Sequence, residues 1–548
     1  MSADFEKVLV KDPRLDVSDS IKYAVVKGGQ NVTCSPFLRI SESSSQIVWN
    51  IQVPSEQTII DRRVLWNTTL TFKAEGTPVY GLGWSLASFP LHQLLSVMSV
   101  TINNNTVSLN VNDALPAIIR LICCEDLTWY NSSSPTFADT QAKYDAGLIT
   151  TANHNNPLSG LWGCEYGKNP HRGCFAPRKV EAGGLYTFDL TEPLLISPFI
   201  FGNLKANGQG FYGIQNMNFV LNKQGGAYSK RVARGKGLTI SNVATDQSRL
   251  LFNFLTPHPS DLMPARNIVP FYELPRYVST NGIKVSATAV KDGPDGAFGN
   301  TITLNSLQLN QIPDKLILYL RKIPGESSEE PDVALPIGKI SINFNNNSGI
   351  LASAEPVQLW QMSRDNGLTS SWVEYSGYGN TLDAAGTAAE IVGTVGSYLV
   401  LEFGKDIQLT EDFYASGSLG NFNLQLIITS YANNTGVEID KNGLQVVLIT
   451  MNSGVFVCER GTSSTYTGIL TKQDVLEASQ QDHYTHNDVS RLVGGGLFDM
   501  IKSGVSSLAK KGMDMGKEHL RKHGKEYLKK GSKMAMDMGK NALSKYLK

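Results

Sequence analysis

The chain has 548 residues, 41% apolar and 18% charged, with 50 glycines and a formal net charge of zero. That length exceeds what one hydrophobic core supports and predicts two or three domains, while the composition excludes a disordered chain. No apolar run approaches the roughly 18 residues that span a bilayer, and the zero net charge hides a split. Leu497 to Lys548 holds 13 Lys and Arg against 5 Asp and Glu, a balance of +8, which leaves 36 basic and 44 acidic residues, or −8, in the rest.

The chain opens on "MSADFEKVLVKDPRL", which lacks an apolar h-region and predicts a protein made inside the cell and not secreted. Residues 1–44 read as an N-terminal arm, either laid along a surface or disordered in the unassembled protein. Cys34, Cys123, Cys124, Cys164, Cys174 and Cys458 are sparse and irregular and are expected to be reduced. From 45 onward short alternating segments predict strands: "QIVWNI" (46–51), "NIQVPSEQTII" (50–60), "RVLWNTTLTF" (63–72), "GLTISNVA" (237–244) and "LLFNFL" (250–255). In "RVLWNTTLTF", Val64, Trp66, Thr68, Leu70 and Phe72 share one face, predicted to be buried. "KRVARGK" (230–236) reads as a short basic loop, solvated or else set against DNA or a neighbouring subunit. Strands resume with "TITLNSLQL" (301–309), "DKLILYLRK" (314–322), "SYLVLEF" (397–403) and "LQVVLITMN" (444–452). The segments 129–186 and 363–396, rich in Asn, Ser and Gly, read as long connecting loops.

Two echoes point to a duplication. "SVTINNNTVSL" (99–109) resembles "KISINFNNNSGIL" (339–351), each a hairpin about an Asn-rich turn, preceded by a strong strand and followed by a helical stretch. "FDLTEPLLISPFIFGN" (188–203) with "GFYGIQNMNFVLN" (210–222) is echoed by "FGKDIQLTEDFYASGS" (403–418) with "GNFNLQLIITSYAN" (420–433), in the same order. Many short strands with little helical periodicity close best as two-sheet sandwiches. The predicted fold is all-β: two tandem jelly-roll sandwiches at 45–258 and 259–465, a flexible linker at 466–496, and a C-terminal amphipathic helical tail at 497–548.

These features resemble the double jelly-roll major capsid proteins of double-stranded DNA viruses, of the polinton-like, virophage and adintovirus type, with adenovirus hexon as a larger relative. The segments that carry the resemblance are 35–66, with Asp61-Arg62-Arg63, then "LNQIPDKLILYLRK" (309–322) and "GKISINFNNNSGILASAEPVQLWQMSRDNG" (338–367). The resemblance implies a structural protein of an icosahedral virion: a homotrimer whose six rolls make a pseudohexagonal capsomer, contacting neighbouring capsomers and minor capsid or penton proteins. It also implies that the N-terminal arm runs along the inner face.

Jelly rolls also house enzymes, so an alternative is a carbohydrate-binding or bicupin-type protein. A cupin metal site needs a His-x-His pair and a Glu, and the eight histidines contain no such pair. Cys164, His171 and Cys174, with Cys123 and Cys124 upstream, match no common zinc spacing. No phosphate loop, "GxSxG" or "HExxH" occurs. No residue is assigned as catalytic, cofactor-binding or metal-ligating. Asp61-Arg62-Arg63 reads as a structural ion pair at a strand start.

In the tail, Leu497, Phe498, Ile501, Val505 and Leu508 form one apolar stripe with Lys502, Lys510 and Lys511 on wetter faces, the pattern of an interfacial helix. Three partners are open for it: membrane lipid, packaged DNA, or a neighbouring shell subunit. Before it stands "LVGGG". Gly495 and Gly496 are either a plain hinge or the bond cut by an adenovirus-type maturation protease, whose pattern Leu492, Val493, Gly494 and Gly495 resemble.

Overall fold

Strand Leu65–Glu75 alternates as predicted. In the computed structural model, Val64, Trp66, Thr68, Leu70 and Phe72 are buried, and Leu65, Asn67, Thr69 and Thr71 face partly outward. The structure describes residues 32–76, 80, 84–139, 177–199, 210–225, 231–235, 237–256, 266–279, 300–322, 334–382, 389–409, 415–431 and 444–468. All lie in the unit Met1–His483.

The first roll comprises β1 (Val32–Leu38), β2 (Ser41–Glu42), β3 (Gln46–Gln52), β4 (Ile59–Ile60), β5 (Leu65–Glu75), β6 (Trp84–Leu86), β7 (Leu95–Ile102), β8 (Asn105–Asn110), β9 (Lys179–Glu181), β10 (Leu185–Pro193), β11 (Asn216–Lys223), β12 (Ala233–Gly235) and β13 (Thr239–Leu255). Its helices are α1 (Pro90–Gln93), α2 (Val111–Ile118) and α3 (Cys124–Tyr130). One sheet runs β1-β13-β5-β10-β9, with β4 beside β13, and the other β2-β3-β11-β7-β8. The second roll comprises β14 (Arg266–Glu273), β15 (Arg276–Val278), β16 (Asn300–Gln311), β17 (Lys315–Lys322), β18 (Ile337–Phe344), β19 (Asn347–Ile350), β20 (Tyr378–Leu382), β21 (Ala389–Gly393), β22 (Tyr398–Glu402), β23 (Leu419–Ser430), β24 (Leu444–Glu459) and β25 (Thr462–Thr467), with helices α4 (Pro356–Asp365) and α5 (Trp372–Ser376). Its sheets run β14-β24-β17-β22, with β15 and β25 beside β24, and β16-β23-β18-β19.

The two rolls share one strand order. β13-β5-β10 corresponds to β24-β17-β22, and β3-β11-β7-β8 to β16-β23-β18-β19. The duplication extends to single hydrogen bonds. The hairpin turns place Asn103 and Asn345 at φ of 51°, left-handed backbone that Asn tolerates. Asn103 N–H donates to Asn216 O at 2.9 Å, and Asn345 N–H to Asn423 O at 2.9 Å. In return the Gln215 N–H donates to Asn103 Oδ1, and the Asn423 N–H to Asn345 Oδ1, each at 2.9 Å.

Several predicted segments fold otherwise. Part of the expected arm is structure: β1 pairs with β13 from Val32↔Leu255 to Leu38↔Arg249, and β2 pairs with β3. "GLTISNVA" and "LLFNFL" are one strand, β13, whose register slips beside Asn242 and Gln247, both at φ 53°. Each slip is a bulge that bends the strand without ending it. "KRVARGK" is no solvated loop where described: Arg231 to Gly235 are buried, and β12 pairs with β6. Val232 and Ala233 are fully covered, and their burial draws the flanking arginines inward. The stretch 363–396 contains the end of α4, then α5 and the β20–β21 hairpin. Helix α5 starts at a capping box, with Ser371 and Glu374 each bonding the other's backbone N–H.

Gly495, Gly496, Leu497, Phe498, Ile501, Val505 and Leu508 lie outside the described residues, as do Cys164, His171 and Cys174. Among the described residues no helix is long and apolar enough to cross a membrane.

Candidate assembly site: the joint between the two rolls

In a β-sandwich protein the loops and outer sheet faces meet partners. Here the first partner of each roll is the other roll, and the contact falls in three places.

The most polar is a clasp around Asp113. Asn112 and Asp113 stand in the first turn of α2, where an acid complements the helix macrodipole. The buried Asp113 carboxylate accepts from Arg321 Nη2 of β17 at 2.5 Å and is paired by Arg276 of β15. Arg321 Nη1 also donates to Asn112 O at 3.2 Å, and Arg231 donates to Asn112 Oδ1. Tyr319 Oη donates to Asp113 O at 2.7 Å. Burial raises the Tyr319 phenol above its ordinary range, so it stays a donor. Two guanidinium groups meet one carboxylate, and removing the carboxylate would strand a buried positive charge.

The second place is aromatic. The Arg62 guanidinium lies 5.8 Å from the Phe211 ring centroid, and its Nε donates to Pro198 O at 2.7 Å. Desolvation lowers the Arg62 guanidinium to about 10. Tyr272 of β14 donates its N–H to Ser197 Oγ at 2.9 Å, and burial raises its phenol. Arg120, in the turn after α2, stacks 4.6 Å from the Tyr398 ring of β22, while its carbonyl accepts from both Thr369 N–H and Thr369 Oγ1.

The third place is the turn between β7 and β8. The Ser463 N–H of β25 donates to Asn104 Oδ1 at 2.8 Å, and Ser463 Oγ donates to Ile102 O at 2.5 Å. The Gly461 N–H donates to Gly213 O at 3.1 Å. Gly213 sits at φ +78°, a backbone state that other residues rarely adopt.

The Asp61-Arg62-Arg63 cluster therefore divides. Arg63 makes the predicted ion pair with Asp61, at 3.8 Å, while Arg62 turns to Pro198 and Phe211 of its own roll and reaches the second roll only through its electrostatic interaction with Tyr272. Sequence reasoning missed Asn112, Asp113, Arg276 and Arg321, because each partner lies more than 100 residues away. The one local signal was Asp113 in the first turn of a helix.

Two other polar clusters lie within single rolls. Buried Glu192 accepts from the backbone N–H groups of Leu91 and His92, from Ser134 Oγ, and from His92 Nδ1 at 2.6 Å, tying α1 to β10. In the second roll Lys315 Nζ donates to Asn366 O at 2.8 Å, and Asn366 Nδ2 donates to Val400 O and Asp406 Oδ2. Desolvation lowers the Lys315 ammonium to about 8, and burial raises Asp314 and Glu402. Perturbed groups like these can mark an active site, but the bonds around Lys315 run to backbone and bind the end of α4 to β22. Cys34, Cys123 and Cys458 are free thiols. Among the described residues no three His, Cys, Asp or Glu side chains converge as metal ligands.

Comparison with known proteins gives one consistent answer. The family model for the Sputnik virophage major capsid protein 1st domain matches residues 3–183 and 177–255, and that for the major capsid protein V20 C-terminal domain matches 274–454. The chain is 26% identical over 524 residues to the putative capsid protein V20 of Sputnik virophage, covering 90% of this chain and 85% of that protein. It is similar to the cryo-EM structure of the Sputnik virophage, with a TM-score of 0.71 and 25% identity, over 89% of this chain and 98% of the other. The crystal structure of the mavirus major capsid protein matches in fold, with a TM-score of 0.63 and 15% identity, over 85% of this chain and 96% of the other.

Proposed function

The chain belongs to the virophage-type double jelly-roll major capsid proteins, and from that premise we propose that it assembles as a homotrimer whose six rolls form a pseudohexagonal capsomer. It is a major capsid protein of a virophage-type icosahedral virion, with a structural role. The carbohydrate-binding or bicupin alternative gains nothing from these relatives.

The observation that carries the trimer is the repeated strand order of two rolls locked by the Asp113 clasp. A fixed pair of like units, repeated by threefold symmetry, gives six like positions around an axis. Capsomers then meet neighbouring capsomers and minor capsid or penton proteins through their loops, and the protein is made inside the host cell. The segment before Val32 runs along the inner face. The tail is joined through Gly495 and Gly496, is released there by a maturation protease, and perturbs membrane through Leu497, Phe498, Ile501, Val505 and Leu508. Its +8 charge also suits packaged DNA or a shell neighbour.

Sedimentation of the purified full chain tests the trimer. Three copies of 59.8 kDa give about 180 kDa. A species that stays at one chain's mass at micromolar concentration and every salt concentration contradicts it.

A further inference from the structure

In the second roll two short sequences, "RDNG" (364–367) and "FGKD" (403–406), bring an amide, an amine and a carboxylate together. Asn366 caps the C-terminus of α4 and is fully buried. Past the end of β22 the chain turns at Gly404, whose φ is +85°, and the Asp406 N–H closes the turn on Glu402 O at 2.9 Å. Lys405 and Asp406 are thereby held at the Asn366 side chain.

That side chain is bound at both ends. Its Nδ2 donates to Val400 O at 3.0 Å and to Asp406 Oδ2 at 2.5 Å, two acceptors that fix which end of the amide is nitrogen. Its Oδ1 accepts from Lys405 Nζ at 3.0 Å, so the amine of an exposed residue reaches in to a buried oxygen. Asp406 Oδ2 is itself positioned by the Glu402 N–H at 2.9 Å. A carbonyl bond of about 1.23 Å puts the Asn366 Cγ at most about 4.2 Å from the Lys405 Nζ. Reacting atoms in a near-attack pose stand about 3–3.5 Å apart, and rotation about the last bonds of the lysine covers the difference.

We propose that Lys405 and Asn366 join in an intramolecular isopeptide bond, with Asp406 as the catalytic acid and base. The neutral Lys405 amine attacks Asn366 Cγ. A bond forms between Nζ and Cγ, and the bond from Cγ to Nδ2 breaks. One Nζ proton passes to the Asp406 carboxylate and from there to Nδ2, which leaves as ammonia; nothing is oxidised or reduced. In the tetrahedral intermediate both nitrogens sit on one carbon, so the carboxylate that touches Nδ2 serves both transfers. The Lys315 ammonium, 2.8 Å from the main-chain oxygen of the same asparagine, supplies positive charge as the amide oxygen becomes anionic. The rival reaction at an Asn-Gly step is attack by the glycine nitrogen. Here the Gly367 N–H donates to Arg364 O at 3.0 Å, which turns it back towards α4. The bond closes the loop 366–405 and ties the end of α4 to the turn after β22.

Mass spectrometry of the full chain tests the bond. After incubation of the folded protein at mildly alkaline pH, where more of the amine is neutral, the chain is expected to be lighter by one ammonia. Its digest should contain a branched peptide that joins Asn366 to Lys405. Lys405→Arg keeps a donor to Oδ1 without a primary amine and should retain the full mass. Asp406→Asn should slow the appearance of the branched peptide at least about 100-fold. A wild-type digest with both residues unmodified, a succinimide or aspartate at Asn366, or a link from Lys315 would overturn the proposal, as would an unchanged rate in Asp406→Asn.

Discussion

Asp113 and Trp66 hold the molecule in different ways, and substitution separates them. Trp66 is fully buried in the first roll, so Trp66→Ala removes transfer energy and leaves a cavity; it is expected to cost about 3–5 kcal/mol, against almost nothing for Thr69→Ala. Equal shifts in the denaturation midpoint would refute the register. Asp113→Ala leaves Arg321 buried beside Arg276 without their carboxylate and is expected to destabilise the joint by about 3–5 kcal/mol. Both rolls keep their cores, so the unfolding transition should split in two rather than only move. Lys315 supplies a pH signature. Its folded-state pKa is lowered to about 8, with Glu402, Lys405, Asp314 and Asp406 as its charged neighbours. Between that value and the ordinary lysine range the unfolded chain binds more protons, so this group's contribution to stability rises with pH across the window. Lys315→Met should flatten the rise seen in denaturation midpoints between pH 8 and 10. Of these residues only Trp66 was legible in the sequence, since alternation reports a buried face whereas a clasp between distant segments leaves no local mark.

At the scale of elements, periodicity and turn chemistry were readable and buried connections were not. The Asn-rich turns of β7–β8 and β18–β19 announced two equivalent hairpins, and the strong strands before them became β5 and β17. β13 was read as two strands because the polar run from Thr245 to Arg249 interrupts its alternation, where the chain in fact bulges at Gln247 and continues. "KRVARGK" was read by its charge, and Val232 and Ala233 decided its place instead. Helix α5 carried its capping box in the sequence, hidden inside a stretch read as loop from its Gly and Ser content. The turn residue Asn345 offers a test at this scale. Asn345→Val forces a β-branched side chain into left-handed backbone and deletes the acceptor for the Asn423 N–H. It should cost about 2 kcal/mol or more in denaturation, with Asn345→Gly recovering part of that.

For the whole molecule, the duplicated rolls and the charged tail are separate commitments. A peptide of residues 496–511 should be largely disordered in buffer, turn helical on anionic vesicles, and release a trapped dye. Ile501→Asp should abolish the leakage and Lys510→Gln only weaken it, each lysine near the lipid adding about 1 kcal/mol. Mass spectrometry of virions should find a fragment beginning at Gly496; an intact Gly495–Gly496 bond would leave a hinge and no processing. The central claim stands apart from the tail: one chain supplies two positions of a six-position ring. Electron microscopy of the purified full chain tests it most directly. The account predicts class averages with threefold symmetry and six sandwich lobes around a centre, whereas isolated two-lobed particles at every concentration and salt would contradict it.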